Sequence, residues 1–184
     1  MKATDIRPGY GIKVENKLCV VTQVDHRTPG NLRAFMQIKY REILSGKVLE
    51  KRWGSGDDIE TFNLDKRDME YLYSDNTGAT FMDQDNYDQT TIPGGTFDDA
   101  LKYMAPNSSA TILFYENNPV SIELPAAVEL IITETSPGVK NATATNQMKD
   151  ATCETGLRTK VPAFIAEGEK IKVSTLDGSY IGRA

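Results

Sequence analysis

Alternating apolar and polar positions mark the stretch from Leu18 to Tyr40. Successive side chains of a strand point to opposite faces, so this pattern predicts two strands. In the first strand, one face consists of Leu18, Val20, Thr22 and Val24. In the second strand, one face consists of Ala34, Met36, Ile38 and Tyr40. Between them lies His26–Arg33, which contains the turn residues Pro29, Gly30 and Asn31. A hairpin needs only about two turn residues, so eight residues with two arginines indicate a functional tip. A solvated loop is the alternative.

Short strand-like runs separated by turn residues continue along the rest of the chain. The predicted strands are 11–14, 18–24, 34–43, 48–53 and 58–64, then 69–73, 80–82, 110–115 and 120–124, and finally 128–134, 152–162, 170–174 and 179–183. A helical period occurs at Phe97–Met104, where Thr96 is placed to cap the helix. This rhythm predicts an all-β protein.

The predicted strands divide into three small barrels in series. Residues 1–64 are expected to form an SH3-like (KOW-like) barrel with the long hairpin. The charged segment Asp65–Asp68 is compatible with a turn and marks the first boundary. Residues 65–127 are expected to form an OB-fold barrel with one short helix, and residues 128–184 a C-terminal OB-fold barrel without it.

Charge is distributed unevenly among these three parts. The whole chain of 184 residues has a net charge of −5. Residues 1–64 carry eleven basic and eight acidic side chains, residues 65–127 three and eleven, and residues 128–184 seven of each. A basic front and an acidic middle are expected when only certain faces meet phosphate.

Other features limit the compartment. Cys19 and Cys153 are too few and too far apart for a disulfide framework, which suits a reducing cytoplasm. No apolar run approaches the roughly 20 residues that cross a bilayer. The N-terminus lacks the apolar segment of a secretory signal. We therefore expect a cytoplasmic protein that does not enter membranes.

Enzyme chemistry finds no support in the sequence. His26 is the single histidine and has no partnered nucleophile. Trp53–Gly56 lacks the Lys-Ser/Thr ending of a phosphate-binding loop. The adjacent acidic pairs Asp57–Asp58 and Asp98–Asp99 fit solvated turns better than a metal site. We expect no catalytic residue, no cofactor and no metal.

Many short motifs, in order, resemble one family. They are Gly9–Gly11, Thr28–Phe35, Ile43–Gly46, Tyr71–Tyr73, Phe81–Asp83, Tyr87, Glu123–Pro125, Glu134–Lys140, Ala151–Thr152, Glu154–Gly156, Val161–Ile165, Gly168–Lys172 and Tyr180–Arg183. Over essentially its whole length the chain resembles the elongation factor P family, whose members have three barrels. The resemblance implies a translation factor that binds the ribosome between the peptidyl (P) and exit (E) tRNA sites. There it contacts the acceptor end of the peptidyl-tRNA and promotes peptide-bond formation, notably at consecutive prolines.

The resemblance also assigns binding residues. Arg27 and Arg33 suit phosphate contact, and Pro29–Gly30 suits close approach of the backbone to RNA. The complete expected set for tRNA and ribosome binding is Arg27, Thr28, Pro29, Gly30, Asn31, Arg33, Thr143, Tyr180 and Arg183. Thr143 is assigned to mRNA at the E site. The partners implied are the ribosome and peptidyl-tRNA, bound by a monomer.

Two positions depart from the family pattern. Many members carry a modified lysine at the tip, where this chain has Asn31. The family's Gly-Asp-Thr in the third barrel is Asn141-Ala142-Thr143 here. A divergent paralogue is therefore one alternative. An OB-type RNA-binding module that acts off the ribosome and an acidic scaffold for protein contacts are two others.

Overall fold

The chain folds almost entirely into strands. The computed structural model describes residues 1–30, 32–137 and 147–184. Within that part, helical structure is confined to a 3-10 turn at Ala3–Asp5 and one turn of helix, α1 (Asp98–Leu101). The strands are β1 (Gly11–Val14), β2 (Lys17–Arg27), β3 (Phe35–Glu42), β4 (Val48–Gly54), β5 (Thr61–Phe62), β6 (Asp65–Asp75), β7 (Gly78–Asp83), β8 (Gln89–Pro93), β9 (Ser109–Tyr115), β10 (Asn118–Glu123), β11 (Ala127–Thr135), β12 (Met148–Cys153), β13 (Arg158–Pro162), β14 (Lys170–Ser174) and β15 (Tyr180–Arg183). The all-β prediction is confirmed.

Three five-stranded sheets follow one another along the chain. Their strand orders are β4-β3-β2-β1-β5, β10-β9-β6-β7-β8 and β13-β12-β11-β14-β15. The chain divides into two compact units, one of Met1–Arg67 with Ile112–Glu123 and one of Asp68–Thr111 with Leu124–Ala184. No helix in the described residues is long and apolar enough to span a bilayer.

The long hairpin exists and is longer than predicted. Strand β2 continues to Arg27, and β3 begins at Phe35, so the connecting segment is 28–34. The outer part of β2 pairs with β3, and β3 pairs with β4 as far as the Phe35–Gly54 pair. Three strands therefore support the tip. We call this three-stranded extension, with its connecting segment, the arm.

The base of β2 is buried on both faces. Cys19 and Val21 pack into the core of the first sheet, whereas Val20 packs with Leu113 and Val120 in a second apolar cluster. Val24 packs against the core that contains Cys19 and Val21, not with Val20, so the predicted grouping of Leu18, Val20, Thr22 and Val24 on one face is wrong. An alternation of apolar and polar residues identifies the buried face only in strands that are covered on one side, because strands covered on both sides are apolar on both faces. Strand β3 is covered mainly on one side, and its predicted inner residues Met36, Ile38 and Tyr40 are indeed buried.

A β-bulge at Thr22 reverses the faces of β2. Val21 pairs with Tyr40 and Gln23 with Lys39, so Thr22 is an extra residue in the ladder. Its hydroxyl donates a hydrogen bond to the carbonyl oxygen of Lys39 at 3.2 Å. Odd-numbered residues point into the core before the bulge and outward after it. Arg27 therefore points away from the core of this sheet.

The second sheet differs from the prediction at two places. Asp65–Asp68, predicted as a turn, is the beginning of the long strand β6. Side-chain pairs support an extended backbone there, since Arg67 Nη2 lies 2.7 Å from Asp65 Oδ2. Strand β8 was not predicted; its polar residues Gln89 and Thr91 are exposed, and only Ile92 is buried.

The predicted helix is shorter than its apolar period. Only Asp98–Leu101 is helical, and Phe97 occupies the N-cap without a side-chain hydrogen bond. The cap predicted at Thr96 is wrong. Instead, Asp98 accepts a hydrogen bond from the amide of Gly95 at 2.9 Å, so the carboxylate supports the preceding turn. Phe97 and Met104 are buried as the period predicts.

In the third sheet, the segment predicted as one strand at 152–162 is two. Strands β12 and β13 pair with each other on either side of a turn at Gly156, whose φ is +83°. Strand β12 also includes Met148–Asp150, which was predicted as part of a polar connection. The core of this sheet contains Leu130, Ile132, Ala151, Cys153, Leu157, Val161, Ile165, Ile171 and Val173.

Candidate nucleic-acid interface

The end of the arm presents exposed polar and cationic side chains. Arg27 ends β2, and Thr28 and Arg33 lie in the connecting segment; all three are exposed. The amide of Leu32 donates a hydrogen bond to the carbonyl oxygen of Pro29 at 3.1 Å, which closes a turn at the tip. Folding of the hairpin thus brings the two predicted arginines to the same end of the first sheet.

Gly30 lies in this turn without an internal reason to be glycine. A Cβ atom added to Gly30 would meet no atom within 4 Å. Its φ is also not among the positive values that favour glycine in this chain. The small size of Gly30 therefore leaves space outside the protein, where a partner's atoms can approach the backbone closely.

The two arginines of the tip are free to bind a ligand. Among the described residues, no ion pair involves Arg27 or Arg33, whereas Lys2, Lys13 and Lys17 of the same unit each lie within 3.1 Å of a carboxylate. An unpaired guanidinium has five donors in a planar fork that matches phosphate geometry. The two arginines predicted from the sequence thus have no carboxylate partner among the described residues.

A third arginine joins these two. Arg52 of β4 places its guanidinium carbon 5.0 Å from the centre of the Phe35 ring. Phe35 is the direct cross-strand partner of Arg27, so their side chains leave the same face of the sheet. Sequence analysis did not single out Arg52. The alternation of side chains in β4, combined with the register of the hairpin, would have placed Arg52 on the face of Phe35 and Arg27. That register depends on the bulge in β2, which the sequence does not reveal.

The predicted residues of the third sheet make internal contacts. Arg183 Nε lies 3.2 Å from Glu169 Oε2, and its guanidinium carbon lies 4.9 Å from the centre of the Phe164 ring. Tyr180 is half-buried against the core of that sheet. The Arg183 guanidinium and the Tyr180 ring are therefore each partly occupied by contacts within the third sheet.

Two predicted residues, Asn31 and Thr143, lie outside the described residues.

The described residues provide little for covalent chemistry. Burial raises the pKa of the Cys19 and Cys153 thiols, which disfavours the nucleophilic thiolate. No group of three or more His, Cys, Asp or Glu in that part of the chain is arranged to hold a metal ion. What the tip can do is bind an anion and position it.

Three sequence-family models match successive parts of the chain. They are the elongation factor P KOW-like domain at residues 2–59, the elongation factor P OB domain at residues 64–122, and the C-terminal domain of elongation factor P at residues 128–183. Together they cover nearly the whole chain in one order.

Individual relatives agree with these matches. Elongation factor P of Acidobacterium capsulatum is 48% identical over 182 residues, which is 99% of this chain and 98% of the relative. Elongation factor P of Paenarthrobacter aurescens is 42% identical over 97% of this chain and 96% of its own length. A solved structure, initiation factor 5A from Methanococcus jannaschii, has a TM-score of 0.40 and 14% identity, covering 66% of this chain and 90% of its own, a likeness too distant to carry an inference.

Proposed function

The chain belongs to the elongation factor P family of translation elongation factors, and from this premise we propose that it acts on the ribosome between the P and E sites. In this proposal the arm reaches the acceptor end of the peptidyl-tRNA and speeds peptide-bond formation at consecutive prolines. The observation that carries the proposal is the end of the arm, where Arg27 and Arg33 are exposed and unpaired among the described residues.

The proposed mechanism is positioning. Proline restricts the poses of a nascent chain because its ring fixes φ. Arginine–phosphate contacts and close approach of the backbone at Pro29–Gly30 would hold the acceptor end in a reactive pose. Alignment of reactants lowers the entropic part of the barrier without an acid or base from the factor. The factor would therefore act without being an enzyme in its own right.

The remaining assignments belong to the same proposal. We propose three domains, 1–64, 65–127 and 128–184, whose bounds lie close to those of the three matched family segments, 2–59, 64–122 and 128–183. Thr28 and Asn31 would complete the tip contact, while Tyr180 and Arg183 would contact the ribosome or tRNA from the third domain. Thr143 would contact mRNA at the E site. A cytoplasmic monomer bound to the ribosome is the acting form.

The deciding experiment is translation reconstituted with ribosomes of the protein's own host. The factor should speed synthesis through a Pro-Pro-Pro reporter far more than through a proline-free control. Deletion of Thr28–Leu32 should abolish the gain and leave the fold intact, because Arg33 and Ala34 still connect β2 to β3 as a two-residue turn. Binding of the full-length factor to ribosomes without a proline-dependent gain would refute the proposed activity.

Ribosome binding itself has a separate test. Each phosphate contact adds a salt-dependent contribution to affinity, so co-sedimentation should weaken steeply as salt rises. A protein with alanine at both Arg27 and Arg33 should bind more weakly and respond less to salt.

The alternative of an RNA-binding module off the ribosome has less support. OB domains bind single strands by stacking bases on exposed aromatic rings in a basic groove. In the middle of this chain Tyr71 and Phe81 are buried with their ring centres 5.5 Å apart, so neither is free to stack, whereas Tyr73 and Tyr87 are exposed. The exposed rings do not lie in a basic groove, because residues 65–127 are strongly acidic. An off-ribosome module should affect both reporters equally.

A further inference from the structure

The outer face of the arm carries a guanidinium stacked on an aromatic ring. Arg52 covers Phe35 at 5.0 Å, and Phe35 is flanked across the ladder by Arg27. Its partner on β4 is Gly54, which has no side chain, so Arg52 two residues earlier can fold over the ring. We call the surface formed by Arg27, Phe35 and Arg52 the Phe35 platform.

The platform is continuous with the tip. Arg27 directly precedes the connecting segment, and Phe35 directly follows it. In the described residues Arg52, like Arg27 and Arg33, has no ion-pair partner. The end of the arm therefore includes three guanidinium groups without an ion-pair partner among the described residues, two of them on the platform and one in the connecting segment.

Carboxylates near the platform are engaged by other donors. Asp25, on the same face as Arg27, accepts a hydrogen bond from Gln23 Nε2 at 3.0 Å. Asp57 accepts one from the amide of Gly54 at 2.7 Å and closes the turn after β4. Neither carboxylate neutralises an arginine of the platform directly.

One ladder step farther from the tip, acidic and basic groups alternate. Glu50 is the cross-strand partner of Lys39 and accepts a hydrogen bond from Gln37. Excess positive charge is therefore confined to the end of the face that borders the tip.

We infer that the Phe35 platform is an RNA-contact surface and that Arg52 is a phosphate ligand held in place by Phe35. This inference rests on the proposed function. A guanidinium that stacks on a ring uses its flat face and keeps its in-plane N–H donors available for phosphate. The ring also fixes the side chain before binding, which lowers the entropy lost on contact. An RNA strand that reaches Arg27 at the end of β2 meets Arg52 along the same face.

The chain offers a matched control one residue away. Lys51 has the same charge as Arg52 and precedes it in β4, but its side chain projects from the opposite face of the strand. Its ammonium lies 3.6 Å from Glu15 and 5.6 Å from the centre of the Trp53 ring. Replacement of Lys51 removes an equal charge from β4 without touching the platform.

The test measures binding of the full chain to an RNA hairpin that ends in single-stranded CCA, over a series of salt concentrations. Arg52→Ala should weaken binding about 10- to 100-fold, the loss of one charge-assisted contact. It should also reduce the slope of log affinity against log salt by about 0.7–0.9. Arg52→Lys should keep the slope and lose part of the affinity, and Lys51→Ala should change little.

Phe35 gives a second, independent reading. Phe35→Leu keeps an apolar side chain but removes the ring, so binding should weaken while the salt slope is kept. In the Phe35→Leu background, Arg52→Ala should cost less than in the unaltered chain, because the two residues act together. Additive effects would show that the ring does not hold Arg52 for RNA.

The remaining outcomes separate this inference from the proposed function. Thermal melting confirms that each variant is folded, and Arg52→Gln replaces the alanine variant if that one unfolds. If Arg33→Ala weakens binding and Arg52→Ala does not, the inference fails and the proposed function stands. If the unaltered chain binds neither the hairpin nor ribosomes, both fail. Displacement of the hairpin by polyglutamate at matched charge would identify an acidic protein as the partner and overturn the inference.

Discussion

Arg41 donates a hydrogen bond from Nη2 to the carbonyl oxygen of Val120 at 2.6 Å. This contact joins β3, which continues into the arm, to β10 of the same compact unit. Burial lowers the pKa of the Arg41 guanidinium, because desolvation disfavours its charged form. A half-buried cation with a backbone acceptor is a fixed point for the base of the arm.

Arg41→Met should lower the free energy of unfolding by about 1.5–3 kcal/mol, the usual effect of losing a hydrogen bond to a charged group. Methionine keeps an unbranched apolar stem, so lost packing contributes little. Urea denaturation measures the change. Arg33→Met at the exposed tip is the control and should change stability by less than about 0.5 kcal/mol. Equal effects at both positions would contradict a special role for Arg41.

Gly78→Ala should destabilise the protein far more than Gly46→Ala. Gly78 has a φ of +145°, and an added Cβ would collide with the backbone carbonyl of Ile92 in the paired strand. Gly46 has a φ of +68°, but open space surrounds the place of its Cβ. We expect a loss of about 1–2 kcal/mol at Gly46, the cost of left-handed backbone alone. At Gly78 a larger loss or failure to fold is expected, as measured by denaturant midpoints and soluble yield.

Acid should weaken the fold partly through Glu42. A hydrogen bond from Lys17, 3.1 Å away, is the main reason that the pKa of Glu42 lies below its ordinary value. Because the folded pKa is the lower one, this stabilisation is present above the unfolded pKa of about 4.3 and is lost as pH falls through the folded pKa. Urea midpoints should therefore fall less on acidification for Glu42→Gln than for the unaltered chain.

Lys17→Met serves as the partner variant for that measurement. It removes the donor and should flatten the acid dependence in the same way. Parallel curves for the unaltered chain and both variants would assign the acid sensitivity to other groups.

At the tip, Arg33→Ala should impair function much more than Asn31→Ala. We expect about a tenfold or greater loss of ribosome affinity at Arg33, since one charge-assisted contact is removed. Asparagine carries no charge and lacks the amine that lysine-directed modification uses, so Asn31 should remain unmodified. Co-sedimentation with ribosomes compares the affinities of the two variants, and translation of the Pro-Pro-Pro reporter compares their function. Intact mass of the protein from its host, with fragmentation across residues 26–35, checks Asn31. Equal tolerance of both substitutions, or an adduct at Asn31, would overturn this view.

Much of the fold was predictable because turn residues separate short strand-like runs along the chain. Strands β1, β3, β4 and β14 lie within one residue of the bounds that this rhythm predicts. The exceptions have physical causes. The base of β2 is covered on both sides, and β8 is an edge strand with a single buried residue, Ile92. Asp65–Asp68 resembles a turn in composition, yet the ladder of β6 extends through it.

The tip of the site was predictable from local sequence, whereas the platform was not. Arg27 and Arg33 lie beside turn residues, so their exposure follows from the hairpin itself. The pairing of Phe35 with Arg27, and the stacking of Arg52 on it, depend on the strand register. That register includes the one-residue bulge at Thr22, which no periodicity reveals.

Burial of β2 on both faces has a mechanical consequence. Val20 is covered on the outer face, whereas beyond the bulge at Thr22 only the inner face of the arm, with Met36 and Ile38, packs into the core. Close-packed groups resist deformation, so a load at the tip meets most resistance at the base, where both faces are covered, and less along the part covered on one face. The bulge marks the place where the stiffness of the arm changes. A partner at the tip therefore meets a beam that is stiffest at its attachment and more compliant toward its end.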